Sequence, residues 1–183
     1  MASKLENAQL SLFVYKAQAL INKINLPVGW ELAEPLHADN LVGFSYGVFR
    51  RIGTPEIVLA YTGSNEKFIA DYLGTNVPAV LGIASIQVPA AALAYEKVLE
   101  KYGTDIAGSN ITFTGHSLGG GLASVMAIWY NRPAVVFDEA PFQMTAVSPI
   151  QLLSVRAFLG LNGYYNAAMN TAISDFSNRK ASI

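Results

Sequence analysis

The sequence Ile111-Thr-Phe-Thr-Gly-His-Ser-Leu-Gly-Gly-Gly-Leu-Ala-Ser-Val-Met-Ala127 decides the fold. Its first part, residues 110–114, is β-branched and apolar, which predicts a short buried strand. Its second part, Leu118–Tyr130, is rich in alanine and other apolar residues and predicts a helix that Asn131-Arg-Pro133 ends. Between the two, Gly115-x-Ser117-x-Gly119 predicts a sharp strand-to-helix turn, with glycines where neighbouring backbone comes too close for a Cβ atom.

The segments around this turn alternate between strand and helix patterns. Residues 42–50 and 56–61 predict two strands that form an antiparallel hairpin, and residues 134–137 predict a further strand. Residues 88–102 predict a helix with Pro89 in its first turn and Gly103 at its end. We therefore expect an α/β fold: a mostly parallel sheet with helices on both faces and the hairpin towards the N-terminus. Further helices are predicted at residues 5–24, 66–73, 148–159 and 162–175.

Composition narrows the function classes. The chain has 183 residues, 52% of them hydrophobic and 14% charged, and its formal net charge is −1. This predicts one domain over residues 1–183 with a buried core, and it argues against disorder and against a nucleic-acid partner. The chain has no cysteine, which excludes disulfides, thiolate metal sites and a cysteine nucleophile. We find no metal-ligand spacing and no phosphate-binding loop, so we expect neither metal nor cofactor.

Membrane and targeting signals are weak. Residues 72–95 carry no charged side chain, but Pro78 and Pro89 interrupt them, so we expect an apolar loop and a buried helix rather than a membrane span. The first residues contain no basic stretch leading into a long apolar one, which predicts no secretory leader. The compartment stays open between the cytoplasm and leaderless export.

Gly-x-Ser-x-Gly between a strand and a helix is the setting of a nucleophile elbow. Such a turn holds Ser117 in a strained conformation with its Oγ above the sheet. The start of the following helix supplies free N–H groups and the positive end of a dipole, so the Leu118 N–H would point at an oxyanion. The structural alternative is a glycine-rich turn with a buried serine.

Residues 114–123 resemble the nucleophile motif of class 3 (fungal-type) lipases and their bacterial relatives. Upstream, residues 57–64 are similar to that family's strand that ends in an aromatic residue followed by x-Gly-Ser, and Asp71-Tyr72 stands where the family has Asp-Trp. Gly43-Phe44 and residues 134–141 also resemble the family's pattern, so the match covers roughly residues 8–142. The resemblance implies an α/β-hydrolase acting on carboxylic esters, including glycerolipids.

The resemblance also implies roles for individual residues. Ser64 maps to the residue whose N–H and hydroxyl complete the oxyanion hole opposite Leu118, and an ordinary turn serine is its alternative. Asp71 would order that loop rather than take part in the chemistry. Ser117 would be the nucleophile of an acyl-enzyme mechanism.

The sequence departs from the family where the acid and the histidine are needed. A hydrolase of this kind presents serine, then Asp or Glu, then histidine along the chain. Here Asp138 and Asp175 follow the serine, but no histidine does. His116 adjoins the serine and its side chain should point elsewhere. His37 lies upstream, in a predicted loop, and would have to approach from an unusual direction.

Three interpretations remain. The chain is the N-terminal part of a longer hydrolase whose C-terminal strands carry the acid and the histidine, or it is active with a substitute base such as His37. In the third it is a non-catalytic hydrolase-fold domain that binds lipid or a partner. The charge-poor segments 72–95 and 141–174 would form an acyl-binding wall or a lid, or a packing surface for missing residues that also favours self-association.

Overall fold

The computed structural model describes residues 1–18, 24–39, 43–62, 77–103 and 110–164, and of residues 17, 18, 39 and 77–86 it describes the backbone alone. Ser64, Asp71, Asp175 and the helix predicted at 66–73 lie outside these ranges. The strands are β1 (Trp30–Leu32), β2 (His37–Asp39), β3 (Phe44–Arg51), β4 (Ile57–Tyr61), β5 (Ile111–His116) and β6 (Ala134–Phe137). The α-helices are α1 (Lys4–Phe13), α2 (Val77–Tyr102), α3 (Leu118–Tyr130), α4 (Gln143–Ala146) and α5 (Pro149–Leu161), and a 3-10 helix, Val14–Gln18, follows α1.

The six described strands form one sheet in the order β1–β3–β4–β5–β6, with β2 also paired to β3. β3 and β4 form the predicted antiparallel hairpin, and β4, β5 and β6 run parallel to one another. The α/β prediction is confirmed. The prediction of a mostly parallel sheet is wrong, because β1 and β2, each only three residues long, both pair antiparallel with β3. Strands this short leave little alternation in the sequence.

Helices cover both faces of the sheet, as predicted. Val58 and Ala60 of β4 pack in one cluster with Leu10 and Phe13 of α1. The other residues of β4 are Ile57, Leu59 and Tyr61. Together with Ile111 and Phe113 of β5, they pack in a second cluster with α2, α3 and α5. Successive side chains of a strand point to opposite faces, so a strand buried along its whole length must be covered on both sides.

Two helix boundaries differ from the prediction. α2 begins at Val77, well before Pro89, which lies inside the helix rather than in its first turn. α1 ends at Phe13 and passes into the 3-10 helix instead of running on to residue 24. α5 at Pro149–Leu161 confirms the helix predicted at 148–159. Of the helices in the described ranges, none is long and apolar enough to cross a membrane.

A charged network closes the end of the sheet where β3 finishes and β4 begins. Glu6 of α1 accepts hydrogen bonds from Arg51 Nη1 at 2.9 Å and from Trp30 Nε1 at 3.0 Å. Arg51 Nε also donates to Glu56 Oε2 at 2.8 Å. The hydrogen bonds from the Arg51 guanidinium, with a smaller effect from the Trp30 bond, lower the pKa of Glu6 to about 2, although burial acts in the opposite direction. This network, the charged end, ties α1 to β1, to β3 and to the residue before β4.

Candidate functional site

Ser117 lies in a strained turn between β5 and α3. Its φ of 55° and ψ of −126° fall in a region that residues with a Cβ atom rarely adopt. Its N–H donates to the Phe137 carbonyl at 3.1 Å, and its carbonyl accepts from the Ala140 N–H at 2.9 Å. The segment after β6 therefore holds the turn through backbone hydrogen bonds. The strained conformation predicted for this serine is confirmed.

The glycines around Ser117 allow backbone to meet backbone. A Cβ atom on Gly119 would collide with the Tyr61 carbonyl oxygen and would come within 2.8 Å of the Thr62 carbonyl carbon. A Cβ atom on Gly115 would collide with the backbone of Gly119. The close approach predicted for both glycines is confirmed. α3 can therefore start directly over the ends of β4 and β5.

The first turn of α3 presents its amides beside Ser117. The amides at the start of a helix have no acceptor within it, so Leu118, Gly119 and Gly120 each present an N–H there. The Ser117 side chain makes no capping hydrogen bond to them. The Leu118 side chain is buried against Ala140 of the segment after β6. The positive end of the helix dipole adds to the attraction these groups have for negative charge.

The ends of three parallel strands meet at this edge of the sheet. Tyr61 of β4 pairs with Gly115 of β5, and His116 of β5 pairs with Phe137 of β6. β4 therefore ends on one side of the Ser117 turn, and β6 ends on the other. Sites in open parallel sheets lie at this edge.

Comparison with known proteins assigns the family. The family model of Tle-like phospholipase domains matches residues 6–152 of the chain. The chain belongs to this phospholipase-like family. No curated protein matches the chain. The matched range includes the whole sheet, the Ser117 turn and both oxyanion-hole candidates, and it supports the lipase-like reading of the sequence in general.

The acidic candidates of the phospholipase-like domain differ in position. Asp138 directly follows β6, is exposed, and has a positive φ of 45°. It therefore stands at the strand end next to Ser117. Asp175 lies outside the described residues, as do Ser64 and Asp71.

His37 lies in β2 rather than in the predicted loop. Its ring stacks on that of Tyr46 with centroids 4.4 Å apart, and its Nε2 is 3.6 Å from Glu34 Oε2. The pairs His37–Tyr46, Tyr46–Tyr61 and Tyr61–Gly115 form one row across the sheet. Three strand spacings, about 14 Å in all, therefore separate the Cα atom of His37 from the Cα atom of Gly115. The fold therefore does not bring His37 to Ser117.

His116 of the phospholipase-like domain faces the 3-10 helix. Its ring lies edge-on to the Tyr15 ring, with centroids 6.4 Å apart, and the Tyr15 hydroxyl donates to the His116 carbonyl at 3.2 Å. The expectation that this side chain points away from the chemistry agrees with these contacts. Nowhere in the described ranges do three His, Asp or Glu side chains lie close enough to hold a metal ion.

Sequence reasoning missed the segment after β6 as a support of the turn. Its contacts with Ser117 run through the backbone of Phe137 and Ala140, and the glycines at 120 and 121 pack against Glu139 and Ala140. Nearly every residue type can make a backbone hydrogen bond, so these contacts cannot be inferred from which residues occur in the segment. The run of three glycines at 119–121 was the available signal, because two of them face this segment.

Proposed function

We propose that this phospholipase-like domain hydrolyses carboxylic esters of glycerophospholipids through Ser117. The observation that carries the proposal is the strained Ser117 turn, with φ 55° and glycine packing on both sides, at the start of a helix in a chain of this family. A strained strand-to-helix serine with amides beside it is how α/β-hydrolases present a nucleophile. The finer likeness to class 3 lipases at residues 57–72 and 111–123 supports an ester as the substrate.

In the proposed reaction, Ser117 Oγ attacks the ester carbonyl carbon while a base takes the hydroxyl proton. The carbonyl oxygen becomes an oxyanion that accepts hydrogen bonds from the Leu118 N–H and from Ser64. Collapse of this intermediate breaks the ester bond, and the leaving alcohol, a lysophospholipid, takes the proton. A water molecule then attacks the acyl ester on Ser117 and releases a fatty acid.

The proposal assigns the base to neither histidine of the chain. The sequence has two, His37 and His116, and their ring partners are Tyr46 and Tyr15. Asp138, at the strand end beside Ser117, is the acid that would orient an incoming base. We propose that the histidine is supplied by a segment beyond these 183 residues, in keeping with a hydrolase whose C-terminal strands lie elsewhere.

Chemical rescue by imidazole tests this proposal. If serine and oxyanion site are formed and only the base is lacking, imidazole in solution should accelerate fatty-acid release from phosphatidylethanolamine vesicles in proportion to its concentration. Ser117→Ala should reduce the rescued rate to background, and Ser154→Ala, at an exposed serine of α5, should leave it unchanged. Rescued hydrolysis that persists in folded Ser117→Ala would refute the role of this serine.

A non-catalytic lipid-binding domain is the second candidate. The observation that favours it is the lack of any histidine after Ser117 in this sequence. It predicts that the chain sediments with phosphatidylethanolamine vesicles and releases no fatty acid at any imidazole concentration. If the chain binds the vesicles and imidazole also restores fatty-acid release, the domain is not a non-catalytic lipid-binding domain.

A further inference from the structure

A groove separates α2 from the edge of the sheet at β2 and β3. It has a volume of about 220 Å³, and Phe44 and Tyr46 of β3, His37 of β2, and Leu93, Ala94 and Lys97 of α2 line it. We call it the β3–α2 groove. Phe44 and Tyr46 alternate with residues that face α1, so both side chains point towards α2.

The inner part of the groove is apolar. Phe44 is buried against Tyr61, with ring centroids 5.8 Å apart, and Ala94 is buried beneath the groove. Leu93 is half-buried and completes the wall on α2. A cleft in which apolar side chains and polar groups both line the wall is typical of a site for a small amphiphilic ligand.

The mouth of the groove carries an uncompensated positive charge. Lys97 is exposed, and no carboxylate of the described residues lies within 4.0 Å of its ammonium group. The nearby Glu34 carboxylate is 3.1 Å from Lys101 Nζ and 3.6 Å from His37 Nε2, so its partners are Lys101 and His37. Burial raises the pKa of the Tyr46 hydroxyl to about 12, which keeps it neutral and able to donate.

We propose that the β3–α2 groove binds a fatty-acid anion, with its alkyl chain against Phe44 and Leu93 and its carboxylate at Lys97. The choice of a carboxylate rests on the proposed function, since a fatty acid is the product of the ester hydrolysis. The charge at Lys97 selects an anion over an alcohol or a zwitterion.

The groove and the Ser117 turn share one layer of the molecule. Tyr46, Tyr61 and Gly115 form a row on the face of the sheet that α2 and α3 cover, and Gly115 lies under the start of α3. Two strand spacings, about 10 Å, separate Tyr46 from Gly115. A fatty acid released at Ser117 therefore has a site for retention close by on the same face.

Calorimetry tests the proposal without turnover by measuring the binding of decanoate to the Ser117→Ala chain. The decanoate is kept below its critical micelle concentration. Lys97→Met keeps the side-chain length and should weaken binding about fivefold, the value of an exposed ion pair. Lys4→Met, an exposed lysine of α1, should leave binding unchanged. Ala90→Phe, which fills the groove from α2, should abolish binding, with folding verified by circular dichroism.

The outcomes separate the two proposals. Decanoate that binds equally well to Lys97→Met and to Ala90→Phe, or not at all to the folded chain, overturns the groove proposal even if imidazole-rescued hydrolysis succeeds. Decanoate binding with the expected losses supports it even if hydrolysis fails. Lysophosphatidylcholine that binds as tightly as decanoate, with the same dependence on Lys97, would overturn the choice of a carboxylate.

Discussion

The two ends of the sheet are held together by different means. At the charged end, side chains make the connections: Glu6, Arg51 and Glu56 join α1 to β3 and to the start of β4. At the Ser117 end, glycines remove side chains, and backbone lies directly against backbone. The difference shows two ways in which one fold fixes the ends of its sheet. Rigidity at the Ser117 end comes from the main chain, which leaves the remaining side chains free for chemistry.

The largest effect should come from filling the contact between α3 and β4. Gly119→Ala places a Cβ atom against the Tyr61 carbonyl, a backbone group that cannot rotate away. We expect a loss of about 3 kcal/mol or more in the free energy of unfolding, from overpacking. Denaturant unfolding measures it, and the soluble yield reports a variant that fails to fold.

Gly120→Ala is the matched variant one residue further on. Its Cβ atom would meet the Cβ of Glu139 at 2.9 Å and the Gly115 carbonyl oxygen at 3.2 Å, which are looser contacts than the collision of a Gly119 Cβ with the Tyr61 carbonyl oxygen. We expect about 1 kcal/mol of destabilisation. Equal losses at 119 and 120 would contradict the claim that backbone contact with β4 makes this end rigid.

At the charged end, Glu6→Gln should lower the free energy of unfolding by about 1–2 kcal/mol, because it weakens a charged hydrogen-bond network and leaves Arg51 less well paired. Lys4→Gln on the same helix, where the side chain is exposed, is the control and should change stability by less than about 0.5 kcal/mol. Thermal unfolding at neutral pH compares the two variants.

The same network predicts a pH dependence. The pKa of Glu6 is lowered from 4.5 to about 2 in the fold, so its contribution is complete above pH 4.5 and disappears as the pH falls towards 2. The difference in stability between the wild type and Glu6→Gln should therefore shrink over that interval. A difference that stays constant from pH 5 to 2 would show that the Glu6 charge is not what stabilises this end.

A smaller effect is expected from relieving strain at the other end. Ser117→Gly removes the Cβ atom from a residue at φ 55°, so it should be more stable than Ser117→Ala by about 1 kcal/mol. Both variants lack the hydroxyl and should be inert towards serine reagents. If Ser117→Gly is the less stable of the two, the turn does not store strain at this residue.

The smallest effect is expected at Asn131, the left-handed residue that ends α3 at φ 52°. Asn131→Gly should raise the free energy of unfolding by about 0.5 kcal/mol and should leave any reaction of Ser117 unchanged. It serves as a positive-φ site outside the Ser117 turn. Differential scanning calorimetry measures the change in stability. If Asn131→Gly gains as much stability as Ser117→Gly gains over Ser117→Ala, the strain at Ser117 is no greater than that at an ordinary left-handed residue.

How much the sequence could predict depends on the range of the interactions. The turn at 115–119 was predictable because its requirements are local: a β-branched strand, glycines and an apolar helix. The hairpin of β3 and β4 was predictable in the same way, from two strand-forming runs separated by turn residues at 53–55. β2 and the position of His37 were not predictable, because three residues are too few to show a strand pattern.

The charged network and the support from the segment after β6 were beyond prediction for a related reason. Glu6 and Arg51 are 45 residues apart in sequence, and nothing local marks them as partners. Ala140 acts through its N–H, a group that every residue except proline shares. The candidate acid Asp138 was recognised from its place after a strand, and the role of Ser64 rests on resemblance alone.

The most direct test of the central claim is fluorophosphonate labelling of the 183-residue chain, read as intact mass with and without imidazole. The account predicts one adduct per chain, formed faster with imidazole, absent in Ser117→Ala and retained in Ser154→Ala. A folded chain that stays unlabelled at every imidazole concentration, or an adduct that persists in Ser117→Ala, would contradict it.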